Sequence, residues 1–154
     1  MPIDIDANFS HCIEFSRDAY FCNVGTYDNY ENDVVAYEDR IRQAAIENNC
    51  YYYHIWCGDE LIGQLEFSTT SDLPETGYVH LIYVVAKYRG LGVSMLAQGF
   101  IIETLITKNC VSAILSVSRL NRRAIKHFKR FGWQYLKPNP KDEVTDFYLC
   151  QLRT

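Results

Sequence analysis

The chain has no apolar run approaching the roughly 18 residues that cross a bilayer, so no membrane-spanning helix is expected. Basic residues are not in excess: 15 Lys and Arg stand against 19 Asp and Glu, which argues against a nucleic-acid partner. The six cysteines (Cys12, Cys22, Cys50, Cys57, Cys110, Cys150) include no Cys-x-x-Cys pair, and the opening Met1-Pro2-Ile3-Asp4 lacks the basic and apolar segments of a secretory signal. Reduced, mostly buried thiols in a cytoplasmic protein are the expectation. His54 with Cys57, and His11 with Cys12, lack further ligands nearby in sequence, so no metal site is expected. No linker, repeat or low-complexity tract divides the chain, and residues 1–154 are expected to form one domain.

What is present reads as alternating elements. His11 to Phe15 suggests a short first strand, Ser16 caps a helix to about Val24, and Gly25 to Asn32 reads as loop. Asp33 caps a helix with Val34, Tyr37, Ile41 and Ala45 on one face, ending near Asn48 and Asn49. Tyr51 to Cys57, the turn Gly58-Asp59 and Leu61 to Phe67 form a hairpin. Gly77 to Val85 is a continuous apolar run of the kind that becomes a strand buried on both faces. Beyond it, Val93, Leu96, Ala97, Phe100, Ile101, Thr104 and Leu105 recur at helical spacing up to Asn109. Ser112 to Val117 reads as a strand. Asn121 caps a basic helix that buries Ala124, Ile125 and Phe128 and stops at Gly132, and two strands, Gln134 to Leu136 and Val144 to Leu152, finish the chain. The order implies a mixed α/β (α+β) fold, a central mixed sheet with helices on both faces.

The segment Arg89-Gly90-Leu91-Gly92-Val93-Ser94 lies between a buried strand and a helix. Glycine lets backbone approach a bulky anion, and the first amides of a helix have no internal partner, so a phosphate suits this place; a tight structural turn is the competing reading. A Walker loop is excluded because no Gly-Lys-Ser/Thr opens the helix. A dinucleotide loop is excluded because no third glycine stands near Met95 and no acid ends the next strand at Ser116 to Ser118.

Three segments in order carry a family resemblance: the strand leading into Ala86-Lys87-Tyr88-Arg89-Gly90-Leu91-Gly92, the following helix, and Asn121-x-x-Ala124-x-x-x-Phe128-x-x-Phe131-Gly132-Trp133. Together they resemble the GNAT superfamily of N-acetyltransferases over the whole chain. The resemblance implies a sheet of six to seven strands and acetyl-CoA (coenzyme A) as co-substrate. It implies a small-molecule or peptide amine as acceptor, and, since many members pair, a homodimer. Backbone groups of Val84 and Val85 would pair with the pantetheine arm like an added strand. The amides of Arg89, Gly90, Leu91, Gly92, Val93 and Ser94 would hold the pyrophosphate, and Asn121 would lie near the arm. Phe128 stands in the cofactor site where many members carry a tyrosine whose hydroxyl protonates the departing thiolate. Phenylalanine cannot do so, and a second reading follows: a catalytically weak or silent acyl-CoA-binding sensor or interaction module. The adjacent His127 points about 100° away on a helix and reads as a surface histidine.

An ammonium acceptor must lose a proton before it attacks a thioester, so a base near neutral pH is useful. The candidates are His80 and Glu66. His80 stands four residues before Val84, on the same side by strand alternation; a buried histidine bonded to backbone is the competing reading, and for Glu66 a solvent-facing carboxylate. Tyr83 and Tyr78 read as core or cleft lining. The basic run Arg119, Arg122, Arg123, Lys126, Lys129 and Arg130 reads as a solvated face or a contact to the cofactor's 3'-phosphate. The tyrosines of Tyr27 to Tyr37 and Tyr51 to Tyr53 either line an acceptor pocket or fill the core. None of the cysteines has a clear His or Asp partner in sequence, which favours direct transfer over a covalent enzyme intermediate.

Overall fold

The computed structural model describes residues 1–26 and 33–152. Tyr27 and Tyr30, and most of the expected loop from Gly25 to Asn32, lie outside the described residues. Four helices, α1 (Ile5–Val24), α2 (Val34–Ala44), α3 (Val93–Thr107) and α4 (Arg122–Phe131), surround six strands. The strands are β1 (Cys50–Cys57), β2 (Glu60–Ser68), β3 (Thr76–Val84), β4 (Ser112–Ser118), β5 (Gln134–Pro138) and β6 (Thr145–Gln151). They form one sheet in the order β1-β2-β3-β4-β6-β5, in which β3 and β4 run parallel and every other pair is antiparallel.

The expected strand at His11 to Phe15 lies inside α1, whose cap is not the expected Ser16 but Asp4, twelve residues earlier, whose side chain accepts from the Ala7 N–H at 3.2 Å. Cys12 and Phe15, three apart, are the buried residues of one helical face, and tertiary packing overrides a locally strand-like stretch. Pro2 makes only an isolated bridge to Tyr53 at the sheet edge, so the sheet holds six strands. In α2 the cap at Asp33 is present, bonding Ala36 N–H at 3.0 Å, and Tyr37, Ile41 and Ala44 are buried; Val34 is exposed, and Ala45 is the C-cap.

Leu65, Phe67, Val79, Ala113, Leu115 and Trp133 pack with Ala97, Ile101 and Leu105 of α3, and Phe128 of α4 joins them. Leu96 and Phe100, expected on the same apolar face, are exposed instead. On the opposite face α1 and α2 pack through Cys12, Tyr37 and Ile41. Helices therefore cover both faces.

Gly63 shows how tightly β2 and β3 approach. A Cβ there would stand 2.4 Å from the Tyr83 carbonyl oxygen and 2.9 Å from Ile55 Cδ1. Backbone cannot swing aside as a side-chain tip does, so Gly63→Ala is expected to cost about 1–3 kcal/mol. Thermal denaturation should show a melting temperature lower by roughly 2–10 °C; an unchanged value would contradict this close approach.

Candidate active site

The parallel pairing of β3 with β4 runs only from Thr76–Ser112 to Val79–Leu115, after which the two strands separate. A bulge starts the separation: Phe67 pairs with Val79 and Glu66 with Leu81, so His80 is the extra residue. On the β2 side, Val85 N–H donates to the Ile62 carbonyl at 2.8 Å. Antiparallel alternation then turns the N–H groups of Ile82 and Val84 away from β2, toward the split. The expected role of Val85 is thereby corrected: its N–H is already spent, and Ile82 and Val84 present the free edge.

Past the split lies the glycine turn. Gly90 and Gly92 adopt φ of 79° and 86°, a left-handed conformation costly for any residue with a Cβ. The first helical bond of α3 runs from Leu96 N–H to the Gly92 carbonyl (3.2 Å), and no side chain caps the helix. Successive N–H groups from Gly90 through Met95 therefore find no backbone acceptor among the described residues, an arrangement suited to a phosphate. Arg89 departs from its expected role. Its N–H bonds the Ala86 carbonyl at 3.2 Å, its Nε donates to the Val84 carbonyl at 2.8 Å, and its guanidinium pairs with Asp18 at 3.1 Å. It braces the turn from behind and offers no free amide to a ligand.

Helix α1 reaches both flanks of the split. Asp18 accepts from Tyr83 and Arg89 on the β3 side. Asn23 Oδ1 accepts from Ser118 N–H at 3.1 Å and Asn121 Nδ2 at 3.2 Å on the β4 side. Asn121 Oδ1 caps α4 by accepting from Ala124 N–H. His127 is also not the free surface residue expected. Trp133 Nε1–H, which can only donate, bonds Gln98 Oε1 at 2.9 Å, so Gln98 Nε2 donates to His127 Nε2 at 3.0 Å and the imidazole carries its proton on Nδ1. Ser94 Oγ lies 3.0 Å from the same nitrogen, which ties α4 to the first turn of α3. Burial, with Arg130 nearby, lowers the His127 pKa. Phe128 packs against Trp133, leaving no hydroxyl at its position.

On the α1–α2 face, Glu66 sits across from Leu81, the first residue of β3 beyond the bulge. Tyr37 Oη–H donates to Glu66 Oε2 at 2.5 Å, and Gln64 Nε2 donates to the same oxygen at 2.7 Å. Oε1 takes no bond among the described residues. Burial raises the Glu66 pKa, opposed by these two bonds and by the charge of Arg40. The competing reading of a solvent-facing carboxylate does not fit a side chain so enclosed.

His80 is corrected in orientation. Ile82 packs in the same cluster as Val79, three residues away, so the bulge reverses the alternation and Val84 shares the side of Ile82. His80 stacks against Tyr78 with ring centroids 4.5 Å apart, on the α2 side. Its side chain is exposed. Even so, its pKa is lowered by desolvation and by Arg40. Ser68 Oγ gives its proton to the Thr70 carbonyl, so His80 Nε2–H donates to Ser68 at 3.4 Å and Nδ1 holds the lone pair.

Tyr83 is buried against Phe15, centroids 4.9 Å apart, and Tyr78 is half-buried beside His80. Arg119 pairs with Asp146, while Arg122, Lys126, Lys129 and Arg130 line an open groove on the outside of α4. Cys12, Cys110 and Cys150 are buried, but Cys22 and Cys57 are exposed, so fewer thiols are enclosed than expected. Cys12 Sγ lies 3.6 Å from His54 Nε2, yet burial and the Glu66 charge push its thiol up to about 12, the opposite of an activated nucleophile. Among the described residues no group of three or more His, Cys, Asp or Glu side chains could hold a metal, and no helix is long and apolar enough to cross a membrane. Tyr37 is read from sequence only as a core or pocket-lining tyrosine, and Gln64, Arg40, Asp18 and Asn23 carry no motif that marks them locally.

A split parallel pair opening onto an uncapped glycine turn and a helix defines an acyltransferase-like architecture. The family model for the Acetyltransferase (GNAT) family matches residues 12–133, and the chain belongs to that family of transferases. Among solved structures it is similar to a PaiA N-acetyltransferase from Thermoplasma acidophilum in complex with coenzyme A, with a TM-score of 0.77 and 11% identity, covering 98% of this chain and 96% of that one. It is likewise similar to an acetyltransferase from Thermus thermophilus (TM-score 0.75, 16% identity, 95% and 90% covered). A ribosomal-protein-alanine N-acetyltransferase from Brucella melitensis gives a TM-score of 0.74 at 12% identity, with 94% of each chain covered. At these identities the likeness is one of fold. No curated protein matches the sequence.

Proposed function

We propose that the protein transfers an acetyl group from acetyl-CoA directly to a primary amine of a small molecule or peptide. The observation that carries this reading is the run of unpaired amides from Gly90 to Met95 beside the split between β3 and β4, with Glu66 paired across β2 to Leu81 just beyond the last β3–β4 pair. The residues fit the co-substrate: the turn offers amides to its pyrophosphate, and Ile82 and Val84 offer an open strand edge to its amide-bearing arm. Glu66 Oε1 takes a proton from the acceptor ammonium, with His80 Nδ1 as the other candidate. The neutral amine then forms a bond to the acetyl carbonyl carbon as the C–S bond breaks, the sulfur leaves as thiolate, and the second proton passes from the new amide nitrogen to that thiolate or to solvent. A thiol with a reference pKa of about 8.5 departs tolerably near neutral pH without a general acid. The test is release of free thiol from acetyl-CoA across a panel of primary amines and peptides; binding of acetyl-CoA without thiol release under any of them would reject it.

The second reading, a binding module for acyl-CoA, is favoured by Phe128, which packs on Trp133 where the tyrosine of many members stands. Phe128→Tyr separates the two. In an enzyme, restoring the hydroxyl is expected to raise kcat by about 10-fold or more with unchanged acetyl-CoA affinity, within the range of general acid catalysis. A rate that stays at the solvent background in both proteins favours the module.

A further inference from the structure

We propose that Tyr37 and Gln64 are positioning residues that together hold Glu66 Oε2 and leave Oε1 as the oxygen presented to the acceptor; this rests on the reading of Glu66 as the base. The arrangement has little freedom. Tyr37 donates its single proton to Glu66 (2.5 Å) and accepts from Gln64 Nε2 (2.9 Å), while Gln64 Nε2 also donates to Glu66 (2.7 Å). With both amide protons spent on that side, Gln64 Oε1 is an acceptor, and His54 Nε2–H must donate to it at 2.9 Å. His54 and Gln64 are 2% and 0% exposed, so the anchor of the network is sealed in the protein, while at its other end Glu66 Oε1 takes no bond among the described residues. The cost is visible: His54 Nδ1 is left buried with no partner, a deficit that two-sided satisfaction of Gln64 forces on the ring.

The electrostatic surroundings leave the network's effect readable. Glu66 is faced by Tyr37 and Arg40 from α2, Cys12 from α1, and Tyr52 and His54 from β1; His80 of β3 senses the same Arg40. The Cys12 thiol and the two tyrosines are pushed up, and burial pushes His54 down, so near neutral pH these groups carry no charge and Arg40 is the charged neighbour. Each donor on Oε2 favours the carboxylate form, and removing one moves the Glu66 titration to higher pH.

The test is carried out on the full chain with 13C-carboxyl-labelled glutamate. Glu66 is titrated by NMR, and the pH profile of kcat/KM is recorded, for the native protein and Tyr37→Phe, with Gln64→Met as a second variant if the first loses its fold. Glu66→Gln assigns the resonance. The expected result is an upward shift of the Glu66 titration by about one unit, an acidic limb of kcat/KM that moves with it, and an unchanged KM for acetyl-CoA. A Glu66 titration that stays in place overturns the positioning inference. A titration that moves while the acidic limb stays fixed keeps the positioning role and removes Glu66 as the base.

Discussion

The Glu66→Gln protein is expected to bind acetyl-CoA as the native chain does and to acetylate its amine on the order of 10²- to 10⁴-fold more slowly, the loss typical of a deleted general base. The substitution is close to isosteric, and a glutamine oxygen still accepts from Tyr37 and Gln64, so the packing around it is kept. Stability supplies an independent check. Because burial raises the Glu66 pKa, the folded chain holds that proton more tightly than the unfolded chain does. Its contribution is full below the unfolded pKa of about 4.3 and is lost as pH rises through the folded value. The melting temperature of Glu66→Gln should therefore fall less than that of the native protein as pH rises across this interval. A slow variant with a native-like pH dependence of melting would mean the residue's environment is not as described; a fast variant would pass the role of base to His80.

Gly92→Trp is expected to weaken acetyl-CoA binding by on the order of 10²-fold or more in calorimetric titration, about 2.7 kcal/mol or above. Two effects act together. At φ of 86° any Cβ costs about 1–2 kcal/mol, which tilts the turn away from the geometry that aligns its amides. The indole then stands over N–H groups that a pyrophosphate needs. A Cβ at Gly92 meets no atom within 4 Å, so the side chain points into open space and the core beneath is untouched. Loss of binding in a folded variant is thus a statement about the turn. Retained binding would place the phosphates elsewhere, with the basic groove of Arg122, Lys126, Lys129 and Arg130 as the first place to look.

How much of this was legible in the sequence follows the range of the forces involved. The β1–β2 hairpin, α2, β3, α3 and α4 are written locally, in apolar runs, helical spacing, Asp33 and Asn121 as caps, and Gly58 and Gly132 at positive φ. Helix α1 is not, because few of its residues are buried and its polar positions give no clear stripe; Cys12 and Phe15 are apolar anchors only once α2 and Tyr83 are in place. The glycine turn was readable because its chemistry needs contiguous backbone. The surroundings of Glu66 were not, since Tyr37, Gln64 and His54 come from three elements and stand up to 27 residues apart. Val85 and Arg89 went astray for a related reason: a motif says which residues gather at a turn, and only hydrogen-bond accounting says which of their N–H groups are still free.

The extra residue at His80 has a consequence beyond its own side chain. A strand is a wave of period two, and one inserted residue shifts its phase by half a cycle. Upstream of the insertion β3 keeps time with the core beneath α3 through Val79. Downstream it is in antiphase, and Tyr83 reaches Phe15 and Asp18 of α1 while Ile82 returns to the α3 side. Deleting that single residue would remove the bulge and leave Val79, Leu81, Ile82 and Tyr83 in plain alternation, with Leu81 and Tyr83 still facing α1. The same half-cycle sets which amides of the strand face the split, so the binding edge and the packing of the far helix are tuned by one residue and cannot be altered separately.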